Sequence, residues 1–185
     1  MKISISWLQE KNACPDGIEW FRKKYAEQYG WVDYQSILDD LGKENKRDWA
    51  EWLLSNAGST NDTLEIKGDL ILEHSIFFAG SIKVTGRIVT KYYIEAGGSI
   101  DAGGGIDAGG SIQARGGIDA GGGILAGGSI QAGWGIQAGW GIQAGEDYGI
   151  YVGISVKLSL KSTYAILKSK TRPENLILGE WRGMK

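Results

Sequence analysis

The stretch "GGSIDAGGGIDAGGSIQARGGIDAGGGILAGGSIQAGWGIQAGWGIQAG", Gly97 to Gly145, decides the fold. Its composition suggests a linker, yet an isoleucine recurs at every sixth residue from Ile100 to Ile142. Counting back, the beat continues through Ile94, Ile88, Ile82, Ile76 and Leu70 to Leu64, giving fourteen consecutive positions that are all Ile or Leu. A second column lies two residues later: Ile66, Leu72, Phe78, Val84 and Thr90, then alanine from Ala96 to Ala144. Residues two apart share one face of a strand, so each six-residue unit offers one large and one smaller inward side chain. The remaining positions are mostly Gly, Ser, Asp and Gln, which suit turns and solvent.

A flexible glycine linker has no reason to keep its isoleucines in phase. Collagen needs glycine at every third residue with abundant proline, and this chain has two prolines. A helix turns every 3.6 residues and cannot hold a six-residue period on one face. The pattern predicts a mainly β fold, a single-stranded parallel β-helix of triangular section. Three units per coil stack residues 18 apart, in ladders 82/100/118/136, 88/106/124/142 and 76/94/112/130. The span 64–144 then makes four and a half coils, and glycine is expected to supply φ > 0 at the corners.

Outside this span the chain reads differently. Residues 1–60 form a small helical unit. Pro15 suits a first helical turn, Ile18, Phe21 and Tyr25 make an apolar stripe, and Gly30 is a stop. Asp33 is an N-cap for a second helix, and Trp49, Trp52 and Leu53 line one side of a third. The solenoid occupies 61–147. In 148–185, "IYVGISVKLSLKSTYAILKS" alternates apolar and polar residues and "TRPEN" is a turn, so two to four strands should extend or close the stack.

The repeat run "LEIKGDLILEHSIFFAGSIKVTGRI", residues 64–88, resembles bactofilins, a family of small polymer-forming β-helices. It is also similar to hexapeptide acyltransferases, although those prefer a small residue two before the large one and carry a loop histidine as catalytic base. The segment "CPDGIEWF…YGWVDYQSILDDL…RDWAEWLL" resembles short helical segments at the start of phage and prophage proteins. That resemblance implies a mobile-element origin and no reaction.

Charge is sectored. Residues 1–62 carry a net −3, 63–94 a net +1, 95–147 a net −5 and 148–185 a net +5. No run is apolar and long enough to span a bilayer, the N-terminus lacks a secretory-signal pattern, and Cys14 is the only cysteine. A bacterial cytoplasm is the expected location. Cys14 is expected to be packed and structural. His74, the only histidine, is read as an ordinary outward residue; one His and one Cys build no zinc site. No cofactor or metal is expected, and no enzyme activity.

Asp101 and Asp119, 18 apart, should stack as outward carboxylates with Gln137 continuing the column, and Asp107 is a further outward acid. Glu95, Gln113 and Gln131 form a second polar column. Trp134 and Trp140 occupy a slot that is glycine in the preceding coils. They either cover the end of the core or anchor a partner, since tryptophan dominates interface hot spots. The candidate partner-binding set is therefore Trp134, Trp140, Asp101, Asp107 and Asp119.

These readings point to a non-enzymatic binding protein of phage or prophage origin, in its narrowest form an inhibitor of a bacterial defence system such as an anti-CRISPR protein. The alternatives are a self-assembling β-helix of bactofilin type and a hexapeptide-type acyltransferase. The expected partner is a host protein or complex, with no membrane insertion and no nucleic acid. Helices before the first coil and strands after the last are expected to cap both ends, leaving a monomer or small closed oligomer.

Overall fold

The helical unit forms because each amphipathic segment carries one apolar stripe and a start signal. In the computed structural model, which describes residues 1–25, 30–156 and 160–184, the chain opens with β1 (Lys2–Ile3) and α1 (Ile5–Glu10). There follow α2 (Pro15–Lys24), β2 (Val32–Asp33), α3 (Tyr34–Lys43) and α4 (Arg47–Ala57). Ser4 caps α1 by accepting from the Trp7 N–H, and Asp33 caps α3 by accepting from Gln35 and Ser36. Phe21, Ile37, Leu38, Leu41, Leu53 and Leu54 are buried together, with Trp49 and Trp52 packed partly buried against them. Cys14 departs from expectation. It is exposed, and its Sγ caps α2 by accepting from the Gly17 N–H at 3.4 Å. α2 ends at Lys24, and residues 26–29, leading to the expected stop at Gly30, lie outside the described residues.

From Thr63 the chain winds into a parallel β-solenoid of about 6 turns with about 18 residues per turn. Face one comprises β3 (Thr63–Ile66), β6 (Ser81–Val84), β9 (Ile100–Ala102), β12 (Ile118–Ala120) and β15 (Ile136–Ala138), then β18 (Ile166–Ser169) and β20 (Glu180–Gly183). Face two comprises β4 (Leu70–Leu72), β7 (Ile88–Thr90), β10 (Ile106–Ala108), β13 (Ile124–Ala126) and β16 (Ile142–Gln143). Face three comprises β5 (Ile76–Phe78), β8 (Ile94–Ala96), β11 (Ile112–Ala114), β14 (Ile130–Ala132), β17 (Ile150–Val152) and β19 (Leu176–Leu178).

The register is the one the sequence dictates. Ile118 pairs with Ile100 and Ile136, Ile106 with Ile88 and Ile124, and Ile112 with Ile94 and Ile130. From Ile82 to Ala144 every inward pair, Ile with Val, Thr or Ala, is buried to within a few per cent, so the ladders form one continuous core.

Beyond the four and a half coils of the six-residue beat, β17, β18, β19 and β20 extend the stack in parallel, in line with the two to four closing strands expected. Two expectations about this stack need correction. The alternation expected over 150–169 is broken: α5 (Lys161–Tyr164) precedes β18, and residues 157–159 lie outside the described residues. The corner glycines, second, are not there for φ > 0. Between Leu64 and Gly145 only Gly68 has positive φ. At Gly103 and Gly121 the reason is close approach: a Cβ would overlap the carbonyl oxygen of the coil beneath, Thr85 and Gly103 respectively.

The helical unit docks on the side of the first coils. α3 packs on β5, where Gln35 stands in for a missing strand: its Nε2 donates to the Phe77 carbonyl and its Oε1 accepts from the Ala79 N–H, both at 2.9 Å. Asn45 Oδ1 accepts from the Ser75 N–H and hydroxyl, each at 2.9 Å. These bonds cover the β5 edge of face three. The inward side chains Ile66, Leu70, Ile76 and Phe78 of the first coil are only partly buried, so the N-terminal end is less closed than expected.

Candidate functional site

The outward residues of face one form a single charged column. In register run Glu65, Lys83, Asp101, Asp119, Gln137, Lys168 and Arg182, one per strand. Adjacent strands lie about 4.8 Å apart, which holds the Asp101 and Asp119 carboxylates side by side. The Asp119 carboxyl is pushed up from its ordinary value, first by partial burial and then by the Asp101 charge, with Lys168 opposing. Two like charges fixed by a ladder cannot relax apart, so the pair favours a positively charged neighbour.

An aromatic wall stands beside this pair. Trp134 leaves the solenoid at a corner, 53% exposed, and meets the Tyr164 ring edge-on with centroids 5.9 Å apart. Together Asp101, Asp119, Gln137, Trp134, Tyr164 and Lys168 line a hollow of about 370 Å³. Carboxylates and indole face suit a guanidinium, which forms paired hydrogen bonds in its plane and stacks through its faces.

The structure thus brings together three of the five sequence-derived candidates, Asp101, Asp119 and Trp134. Trp140 and Asp107 lie elsewhere. Trp140 is 64% exposed, with the Lys170 ammonium 4.8 Å from its ring centroid. Neither tryptophan fills the core, which Ile and Ala already close. Asp107 lies on face two, in a groove of about 1000 Å³ shared with Leu125 and Gln143 and bordered by the Thr171–Asn175 loop. Sequence reasoning missed Tyr164 and Lys168. The 18-residue count that links Asp101, Asp119 and Gln137 fails there, because an insertion separates β15 from β18.

His74 is half-buried at the corner before β5, its Nδ1 2.9 Å from the Ser75 carbonyl. Among the described residues no group of three or more His, Cys, Asp or Glu is placed to hold a metal ion, and no helix is long and apolar enough to cross a membrane.

Glu95 breaks the outward polar column of face three. Its neighbours Gln113 and Gln131 follow in register, but Glu95 is 1% exposed because α4 lies over it. Arg47 of α4 donates from Nε to Glu95 Oε1 and from its terminal nitrogen to Glu51 Oε1, both at 2.8 Å.

Fold and site define a mainly β protein: a single-stranded parallel β-solenoid carrying a side-docked helical unit. The family model of the YdhT N-terminal domain matches residues 1–61, so the helical unit is similar to that domain. No curated protein and no solved structure matches the chain.

Proposed function

We propose that this chain is a non-enzymatic binding protein whose solenoid presents face one to a partner carrying an exposed basic side chain. The observation that carries the reading is the hollow in which the Asp101–Asp119 pair lies beside Trp134 and Tyr164. A rigid stack suits this role, since the site is positioned on strands and its charges are held before the partner arrives. The narrower version, a phage-encoded inhibitor of a bacterial defence system, is supported by the resemblance of the helical segment and by the sectored charge.

Calorimetric titration with an arginine-bearing peptide tests the reading. The peptide should bind, a glutamate-bearing peptide of equal length should not, and Asp119→Asn with Trp134→Ala should abolish the signal. Equal binding of both peptides, or no loss in the double variant, overturns it. Self-assembly is the second reading, favoured by the first coil, where Ile66 and Leu70 are only partly buried and the edges of β3 and β4, the end strands of their sheets, can template further strands. Long fibres by electron microscopy at neutral pH would establish that reading over the first.

A further inference from the structure

One buried side-chain polar atom in the described residues lacks a hydrogen-bond partner, Glu95 Oε2. Buried acceptors in native proteins are almost always satisfied, so an orphan calls for a physical cause. Arg47 does not reach this atom: its Nε donates to Glu95 Oε1 and its terminal nitrogen to Glu51 Oε1, and its guanidinium lies over the Tyr93 ring, 4.7 Å from the centroid. Two carboxylates and one guanidinium leave one excess negative charge, and of the three groups only Glu95 is withdrawn from water. We propose that Glu95 holds a proton on Oε2 and shares it with Glu51, making the contact between α4 and β8 a pH-sensitive junction between helical unit and solenoid.

The surroundings support this assignment. Facing Glu95 from α4 are Arg47, Asp48 and Glu51; from the solenoid, Phe77 and Gln113 are its neighbours in register, and Arg115 stands at the following corner beside Ser55. A carboxyl proton turns the orphan acceptor into a donor and the carboxylate repulsion into a hydrogen bond. Burial pushes the Glu95 carboxyl up to about 7, with Glu51 adding to the rise and Arg47 opposing it. The proton is therefore lost as pH climbs through neutrality. Glu95 and Glu51 then compete as anions for Arg47, and the helical unit is held less firmly on the solenoid.

Carbon-13 NMR of the Glu side-chain carboxyls in the full chain tests the inference directly. Glu95 should titrate close to neutrality; in Glu51→Gln its midpoint should fall, because a repelling charge has gone. Amide protection factors across β8, which remove the intrinsic base-catalysed rise of exchange with pH, should fall several-fold between pH 6 and 8 in the parent and stay constant in Glu95→Gln. An ordinary Glu95 midpoint, no response to Glu51→Gln, or an exchange profile that Glu95→Gln leaves unchanged would each overturn the proposal. Should Glu95→Gln fail to fold, the titrations of the parent and of Glu51→Gln still decide it.

Discussion

Replacing Gly121 by alanine probes the feature that makes this solenoid so rich in glycine. A Cβ on Gly121 would sit about 1 Å inside normal contact with the Gly103 carbonyl oxygen of the coil beneath. That oxygen belongs to backbone, so the clash cannot be relieved by rotating a side chain. The neighbouring ladder bonds resist movement: Gly121 N–H donates to the Ala102 carbonyl and Gly139 N–H to the Ala120 carbonyl, both at 2.9 Å. Weakening two such bonds at about 0.5–1.5 kcal/mol each gives a cost of about 1–3 kcal/mol. An overpacked core loses a similar amount. Arg115 occupies the equivalent corner one unit earlier, so the backbone can be rebuilt around a side chain and outright unfolding is not expected. Gly141 is the matched control, because its Cβ would meet nothing closer than the Thr171 hydroxyl at 3.3 Å. Gly141→Ala should be neutral or stabilise by about 0.5 kcal/mol through the unfolded chain. Thermal melts should show Gly121→Ala lower by roughly 2–12 °C at about 2–4 °C per kcal/mol, and Gly141→Ala unchanged or higher. Equal melting of the two variants would refute the close-approach argument.

Ile112→Asp should be far costlier. Ile112 is 0% exposed between Ile94 and Ile130, so a carboxylate there lacks water and partner and costs several kcal/mol, of order the stability of a whole domain; loss of the folded circular-dichroism signal checks this. The Glu95 carboxyl has a pH signature of definite sign. Its folded value of about 7 exceeds its ordinary 4.5, so its contribution is fully present below 4.5 and is lost as pH rises to 7. At about 1.36 kcal/mol per pH unit, the parent should lose on the order of 3 kcal/mol relative to Glu95→Gln across that window, read from denaturant melts at pH 4.5 and 7.5. Cys14 should react with a thiol reagent in the native state as fast as after unfolding, and Cys14→Ser should keep the helix cap.

The solenoid was legible because one local rule, a large residue at every sixth position, places Ile100 on Ile82 and Ile118 on Ile100 without knowledge of anything distant. The same rule stacks Asp101 on Asp119, so the acidic half of the site was readable. Its other half was not. Tyr164 and Lys168 reach the hollow across an insertion of irregular length, which carries no period to count. Glu95 was misread for a related reason: its place in the repeat makes it an outward residue, and only the docking of α4 buries it. Cys14 was misjudged on residue type, since thiols are usually buried, whereas its place before Pro15 marks a helix start. The corner glycines were recognised as necessary, but the cause is the stacking of one backbone on another, visible only once coils are superposed.

On the proposed function, the face bearing Trp134, Asp101 and Asp119 meets a partner. A photo-cross-linking amino acid at position 163, compared with one at position 177, tests this in the cells that produce the protein. Thr163 is exposed at the rim of the hollow, so the probe leaves Trp134 and both carboxylates in place. Ile177 lies on face three and is 64% exposed, so it samples chance encounters freely. One discrete cross-linked protein is expected at position 163, lost with Asp119→Asn, and none at 177. The same adducts at both positions, or a product at 163 that survives Asp119→Asn unchanged, would contradict it.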